Sequence, residues 1–402
     1  MTKKENINHA DRAHAVLSAS ASERWINCPP SALLESELPE STSVYAEEGT
    51  LAHELSEVKL IRAINGATAI STKLAVSRIK KHELYKNEMD GYTSDYVDYC
   101  MTAFNEVKAK DDTAIMIIEK RADFSDIVPN GFGTADNVII GDGKLIVTDL
   151  KYGVGVQVFA ANNSQLMLYA LGCFSEYWEA RNIETVILRI AQVRKNHFDE
   201  WEIPASELLK WADKITPIAK LANEGKGEKC AGEWCKFCKV KVRCAALMKQ
   251  TQKAFAVHVA SQNGELTDDE ITELLRIIPV LDDWFKSVRA YAIEEAKNGK
   301  EWSGFLLVPG QSRRAIVEPE KAAETLEFYG YEDSEIWNVK KSLKGIGELE
   351  KLLTPAKFNK YIGRYVVKAP GAPILVDETK TNKTSISDKT ENAKRAFENF
   401  ED

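Results

Sequence analysis

The character of the chain changes at residues 114–153, and the change decides what it can fold into. Three short runs follow one another there: AIMIIEKRAD (114–123), GFGTADNVIIGD (131–142) and GKLIVTDLKYG (143–153). Each is rich in β-branched residues, and turn chemistry divides them, including Gly141-Asp142-Gly143. Runs of this length and composition read as strands. A helical stretch comes next at AANNSQLMLYALGCFSEYWEA (160–180), then a further strand at ETVILRIAQVRK (184–195). A meander, a packed helix and another strand predict an α/β core, a small mixed central sheet flanked by helices.

The regions on either side are helical. SASASERWINCPPSALLE offers serine caps before Pro29-Pro30 interrupts, and SVYAEEGTLAHELSEVKLIRAI carries Leu51, Leu55, Val58 and Leu60-Ile61 at near-helical spacing. A third helix is expected within KNEMDGYTSDYVDYCMTAFNEVKAK, and a fourth near SELLKWADKITPIAKLAN. Beyond residue 255, DDEITELLRIIPVLDDWFKSVRAYAIEEAKNG reads as a long amphipathic helix, with short strands at GFLLVPG and RRAIVE and further helices. With 402 residues the chain has room for two to three domains. The expected division is 16–250, then a mostly helical module at 255–373, then a disordered polar tail at 374–402. That tail ends in FENFED, whose two aromatics among acids are open to reading as a docking peptide or as a plain solvated end. No apolar run approaches the ~18–20 residues that cross a bilayer, and the N-terminus has no apolar signal region. The expectation is a cytoplasmic protein without a membrane partner.

The chemistry-bearing residues lie in the meander. Asp149 and Lys151 are two apart on a strand and so share a face, and Asp136 lies on the preceding strand across a tight turn. Two carboxylates and a lysine converging at a sheet edge suit metal-assisted hydrolysis of a phosphodiester, with Mg²⁺ or Mn²⁺ on the carboxylates. In the next helix Gln165 and Tyr169, four apart, share a face. Upstream, His53 is a further possible metal ligand, since a neutral imidazole binds such ions.

Four of the seven cysteines fall within residues 230–244, CAGEWCKFCKVKVRC. Clustered cysteines without an export signal bind metals rather than form disulfides. A purely local site would be zinc on Cys230, Cys235, Cys238 and Cys244. Its C-x₄-C opening is not a paired-knuckle layout, and it leaves Cys28 unexplained. Cys100 and Cys173 sit on helices among apolar neighbours and read as core. The segment is also basic, with Lys226, Lys229, Lys236, Lys239, Lys241, Arg243, Lys249 and Lys253 against Glu228 and Glu233. With Trp234 and Phe237 interleaved, it either tracks a nucleic-acid strand or solvates a metal loop. The formal net charge of −8 does not exclude the former, because a local basic strip binds backbone inside an acidic chain.

The ordered set G-x-x-x-H (Gly49 to His53), G-x-x-D (Gly133 to Asp136), D-x-K (Asp149 to Lys151) and Q-x-x-x-Y (Gln165 to Tyr169) resembles the PD-(D/E)XK nucleases of RecB and AddB type. The resemblance covers residues 16–250 and implies a restriction-endonuclease-like core. It implies catalysis by Asp136, Asp149, Lys151, Gln165 and Tyr169, with His53, Asp136, Asp149 and the Leu150 main-chain carbonyl on the metal. Part of that family carries an iron–sulfur staple with one cysteine before the core and a C-x₂-C-x₅-C set after it. Cys28, Cys235, Cys238 and Cys244 match, which implies a [4Fe–4S] cluster. The layout also resembles nuclease-like proteins encoded by bacteriophages and prophages. The activity so implied is a DNA exonuclease of replication or recombination, with single-strand-binding or annealing proteins as partners. An endonuclease, or a non-catalytic DNA-binding accessory protein, is the alternative. There is no Walker A pattern, so the chain does not drive unwinding by that route. Gly345-Ile346-Gly347 is too little to indicate a helix–hairpin–helix module.

Overall fold

The computed structural model describes residues 15–38, 43–66, 70–259, 266–310, 314–337, 343–353, 355–368 and 371–377. The chain divides into two compact units, Met1–Leu281 and Asp282–Asp402.

The first unit begins with helices α1 (Ser22–Asn27), α2 (Ser31–Ser36), α3 (Val44–Asn65), α4 (Ile70–Ile79) and α5 (Asn87–Lys108). Strands β1 (Ile115–Asp123), β2 (Phe132–Gly141) and β3 (Lys144–Leu150) follow as the expected meander, then α6 (Ser164–Arg181) and β4 (Thr185–Gln192). Next come β5 (His197–Pro204), α7 (Ala205–Asn223), the cysteine loop, α8 (Ala245–Val259) and α9 (Asp268–Lys297). The sheet order is β1-β2-β3-β4-β5, with β3 and β4 parallel and the other neighbours antiparallel. The parallel pair demands a crossover, and α6 supplies it.

This is a mixed α/β unit whose five-stranded sheet is covered on both faces. On one face α6 and α7 pack through Leu168, Leu171, Leu208 and Ile215 onto Val138, Val147 and Leu188. On the other, Leu51, Leu55, Tyr96 and Cys100 of α3 and α5 meet Leu150 and Ala191. Close approach of α6 depends on Gly172, where a Cβ would sit 2.9 Å from Ala122. Strands β3 and β4 are buried almost throughout, as the near-continuous apolar runs of strands covered on both faces require. Strand β5 was not expected from the sequence. Its intermediate–exposed alternation is that of a half-covered edge strand, and its charged outer positions hide the apolar signal.

The second unit begins within α9, at Asp282. It contains β6 (Phe305–Gly310), β7 (Arg314–Ile316), α10 (Pro319–Phe328), α11 (Asp333–Ile336), α12 (Ile346–Leu353), α13 (Pro355–Ile362), β8 (Val366–Lys368) and β9 (Gly371–Asp377). Ala323, Leu326, Leu349, Leu353, Phe358 and Ile362 form its own core. Residues 374–377 correct one expectation, because they belong to a strand and not to the tail: β9 pairs antiparallel with β6 from Phe305↔Asp377 to Val308↔Ile374. Ile374-Leu375-Val376 is a strand-forming run that a whole-segment reading of polarity averages away. The rest of the expected tail, FENFED included, lies outside the described residues. Among the described residues no helix is long and apolar enough to cross a membrane.

Candidate functional site

The four motifs of the sequence come together at the end of the sheet where β3 runs into its crossover. Asp149 and Leu150 close β3, and Lys151 extends the parallel pairing one step, its N–H donating to the Ala191 carbonyl at 2.9 Å. The ladder pairs Asn137 with Thr148, so Asp136 and Asp149 are the next opposed residues.

Asp136 owes its direction to a break in strand alternation. Along β1, Met116 and Ile118 pack toward α3 and α5. Lys120 and Ala122 face α6 instead, through Glu176 and Gly172. An unbroken strand would keep all four on one face. The reversal falls at Glu119, whose φ of 52° is left-handed, at a cost of about 1–3 kcal/mol for a residue with a side chain. On β2, Ala135 and Val138, three apart, both join the α6-side core. The register pairs Ile118 with Asn137 and Lys120 with Ala135, which leaves Glu119 and Asp136 as the opposed residues at the break. Both are thereby turned toward α3. His53 Nδ1 lies 3.2 Å from Asp136 Oδ1, and the Leu150 N–H donates to Asp136 Oδ2 at 2.7 Å. One ligand atom each from His53, Glu119 and Asp136 lies within 4.8 Å of the others.

A second chain of hydrogen bonds runs through Asp149. Gln165 donates from Nε2 to Asp149 Oδ1 at 3.0 Å and to the Tyr169 hydroxyl at 3.1 Å, while its Oε1 accepts from Lys151 Nζ at 2.9 Å. A lysine only donates and a carboxylate only accepts, so the partners fix which way the amide points. Lys151 Nζ also stands 2.8 Å from Asp149 Oδ2. Apart from that contact, Oδ2 has no partner among the described residues, so it keeps lone pairs beyond the ion pair. Two of the three ammonium hydrogens are thus directed at partners, and one is left for the cleft. Gly133 explains its place in the motif, since a Cβ there would meet the Tyr169 ring at 2.6 Å. Gly49 is different: among the described residues nothing fills the space a Cβ would take, one turn before His53.

The charges are strongly interdependent. Burial favours the neutral ring of His53, but the charge and hydrogen bond of Asp136, backed by Asp149 and Glu119, outweigh it and raise the pKa to about 9. Burial also pushes Asp136 up, yet His53, the Leu150 N–H and Lys151 bring it below the usual carboxylate value. Asp149 moves the other way, since burial and the Asp136 charge prevail over Lys151. The proton on His53 therefore occupies the place of a cation, and a metal ligated by that ring must displace it.

Apart from this cluster, five cysteines line one cavity of about 220 Å³: Cys28, Cys230, Cys235, Cys238 and Cys244. Cys235 and Cys238 are buried, and burial pushes the Cys238 thiol up to about 12. Cys28 reaches them because α1 and α2 dock on the cysteine loop. Glu35, 8% exposed, is the fastener: it accepts from Arg24 Nε at 2.9 Å and from the Lys239 N–H at 2.7 Å. Gly225 and Gly227, both at positive φ, bring the chain alongside Leu33 and Pro29. Cys100 and Cys173 are fully buried in α5 and α6, away from this cavity, as expected.

Sequence reasoning brought out His53, Asp136, Asp149, Lys151, Gln165 and Tyr169, and the fold places them together. It missed Glu119, which sits in a strand among apolar and charged residues with no motif to mark it. It missed Glu35 as well, whose role depends on a partner about two hundred residues away.

A family model described as "Protein of unknown function (DUF2800)" matches residues 14–383, and the chain belongs to that family. Among solved structures, one titled "Crystal structure of SSO0001" is similar at 15% identity, covering 56% of this chain and 96% of that chain with a TM-score of 0.21. At that TM-score the likeness carries no weight for fold or activity.

Proposed function

We propose that this DUF2800 protein is a metal-dependent nuclease of the PD-(D/E)XK type acting on DNA, an exonuclease of replication or recombination. One observation carries the reading: His53, Asp136, Asp149, Lys151, Gln165 and Tyr169, from α3, β2, the β3 end and α6, meet in two adjoining chains of hydrogen bonds. Buried carboxylates in such number are costly unless something cationic offsets them.

The donor set is one imidazole and several carboxylate oxygens, which fits Mg²⁺ or Mn²⁺. His53, Asp136, Asp149 and the Leu150 carbonyl would hold the ion, with Glu119 added to the ligands the motifs suggest. When bound, the ion supplies a water of lowered pKa and stabilises charge on phosphate oxygens. Lys151, held by Asp149 and Gln165, presents its remaining N–H to the attacking water or a phosphate oxygen. Gln165 keeps that ammonium in register, and Tyr169 keeps Gln165.

The cysteine cavity supports a [4Fe–4S] cluster on Cys28, Cys235, Cys238 and Cys244 over zinc on Cys230, Cys235, Cys238 and Cys244. Tetrahedral Zn–S bonds of about 2.3 Å hold thiolates about 3.8 Å apart. Cys28, which a local zinc site leaves out, lines the same cavity as Cys235, Cys238 and Cys244. A four-iron cluster spreads its thiolates, each on a different iron. Beside the cavity, Phe237 is exposed with Lys236 over its ring, which suits stacking and charge along a single strand.

The test is digestion of end-labelled linear DNA with Mn²⁺ or Mg²⁺, beside covalently closed circles. Wild type is expected to release short products from linear DNA and spare circles. Asp149→Asn and Lys151→Ala should each lose about a hundredfold or more in rate while still retarding DNA in a gel. Cut circles would make it an endonuclease. A wild type inert with every divalent ion, yet binding, would leave a DNA-binding accessory protein.

A further inference from the structure

The segment between Lys151 and α6 takes no part in the cluster, although it starts at Lys151. Its tip carries Val154, Val156 and Phe159, which are 52%, 47% and 55% exposed. Gly153 and Gly155 beside them have nothing among the described residues within 4 Å of where a Cβ would stand. Slack does not explain this exposure, because the base of the segment is clamped. Gln192 on β4, 2% exposed, donates to the carbonyls of Gly153 and Val156 at 2.9 and 2.8 Å and accepts from the Val158 N–H at 3.2 Å. The Ala160 N–H donates to Asp199 at 2.7 Å, and the Phe159 ring meets His197 edge-on. Cations stand at its root: Lys195 Nζ is 3.4 Å from the Gly155 carbonyl, and Arg194, paired with Glu48, lies over the Tyr152 ring.

We infer that Gly153–Phe159 is a rigid finger that packs its valines against the bases at the end of a duplex and parts the terminal pair beside Lys151. The inference rests on the phosphodiesterase reading of the adjoining cluster. An apolar tip above cations matches the two chemistries of a nucleic-acid strand, apolar base faces and an anionic backbone. Apolar wedges are also how proteins unstack base steps. Val154 is three residues beyond Lys151, so a base on the finger belongs to a nucleotide next to the phosphate at the cluster.

The test uses the full chain and a blunt duplex with 2-aminopurine as its terminal base, in Ca²⁺ so that cutting is slowed. Wild type should raise the fluorescence severalfold as the end unstacks. Val154→Ser/Val156→Ser, both at exposed positions, should lose the rise and bind the end about tenfold more weakly, the scale of one lost base contact. Leu209→Ser/Leu221→Ser, equally exposed on α7, should keep the rise. No rise with wild type, or a rise kept by the double valine variant, overturns the finger. Cutting in Mn²⁺ is scored separately on the same proteins. Cutting without a dependence on the valines leaves the nuclease and removes the finger, whereas unstacking without cutting does the reverse.

Discussion

Glu119 holds a backbone conformation that a residue with a side chain avoids, and it does so opposite Asp136. Strain of that kind persists where surrounding structure imposes it, here the pairings on either side of the break. The gain is a carboxylate turned to within ligand distance of His53 and Asp136. Glu119→Gln is therefore expected to weaken Mn²⁺ binding about 10- to 100-fold, read by calorimetric titration, with thermal stability little changed. Unaltered affinity would assign Glu119 a purely structural place. Little of this residue's role was legible in the chain. Asp149-Leu150-Lys151 shows itself because its spacing matches the strand period, and Gln165 with Tyr169 because theirs matches one helical turn. Glu119 matches neither, since its direction comes from a kink shared between two strands.

Between elements, two polar fasteners stand out. The first joins α3, α4 and α5. Lys59, Lys80 just past α4, and the Tyr85 hydroxyl all reach Asp90 at the start of α5. Burial pushes the Asp90 carboxyl up, but Lys80, Tyr85 and Lys59 outweigh it and hold the pKa at about 2, against 3.8 for the free side chain. A carboxyl depressed in the folded state binds fewer protons there than when unfolded. Its stabilising effect is thus complete above pH ~4 and lost as pH falls from about 4 toward 2. Urea midpoints of wild type and Asp90→Asn should differ by a constant amount at neutral pH and converge below pH 4; a gap that ignores pH would rule out the charge. The second fastener is Glu35, which binds α1 and α2 to the cysteine loop. Anaerobically purified wild type should be brown with about four irons per chain, and Cys28→Ala should lose the colour. One zinc per chain and an indifferent Cys28 would sink the long-range cluster and leave the other site standing.

Over the whole molecule, the two units have separate cores, one around Val147 and Leu188 and one around Leu326, Leu349 and Phe358. Chains built so depart from all-or-none unfolding. Calorimetry should resolve two transitions. Leu188→Ala should lower only one of them and Leu326→Ala only the other, each by several degrees for a core cost of about 2–5 kcal/mol. A single transition moved by both variants would show that the units unfold together.

The sequence by itself determined most elements of the first unit and much of the candidate site. Strand and helix periods are local properties, so the meander, α6, β4 and the faces of Asp149, Lys151, Gln165 and Tyr169 follow from nearest neighbours. It also marked the cysteine spacing, though not what the cysteines face. Only the tertiary structure decided the rest. The sense of each strand in the sheet, the edge strand β5, the turn of Glu119 toward α3, the clamp of Gln192 and the reach of Cys28 to Cys235 all depend on groups far apart in the chain. Contacts of that kind arise from the packing of two faces against one sheet, and no local pattern of residue types encodes which distant partner will fill them.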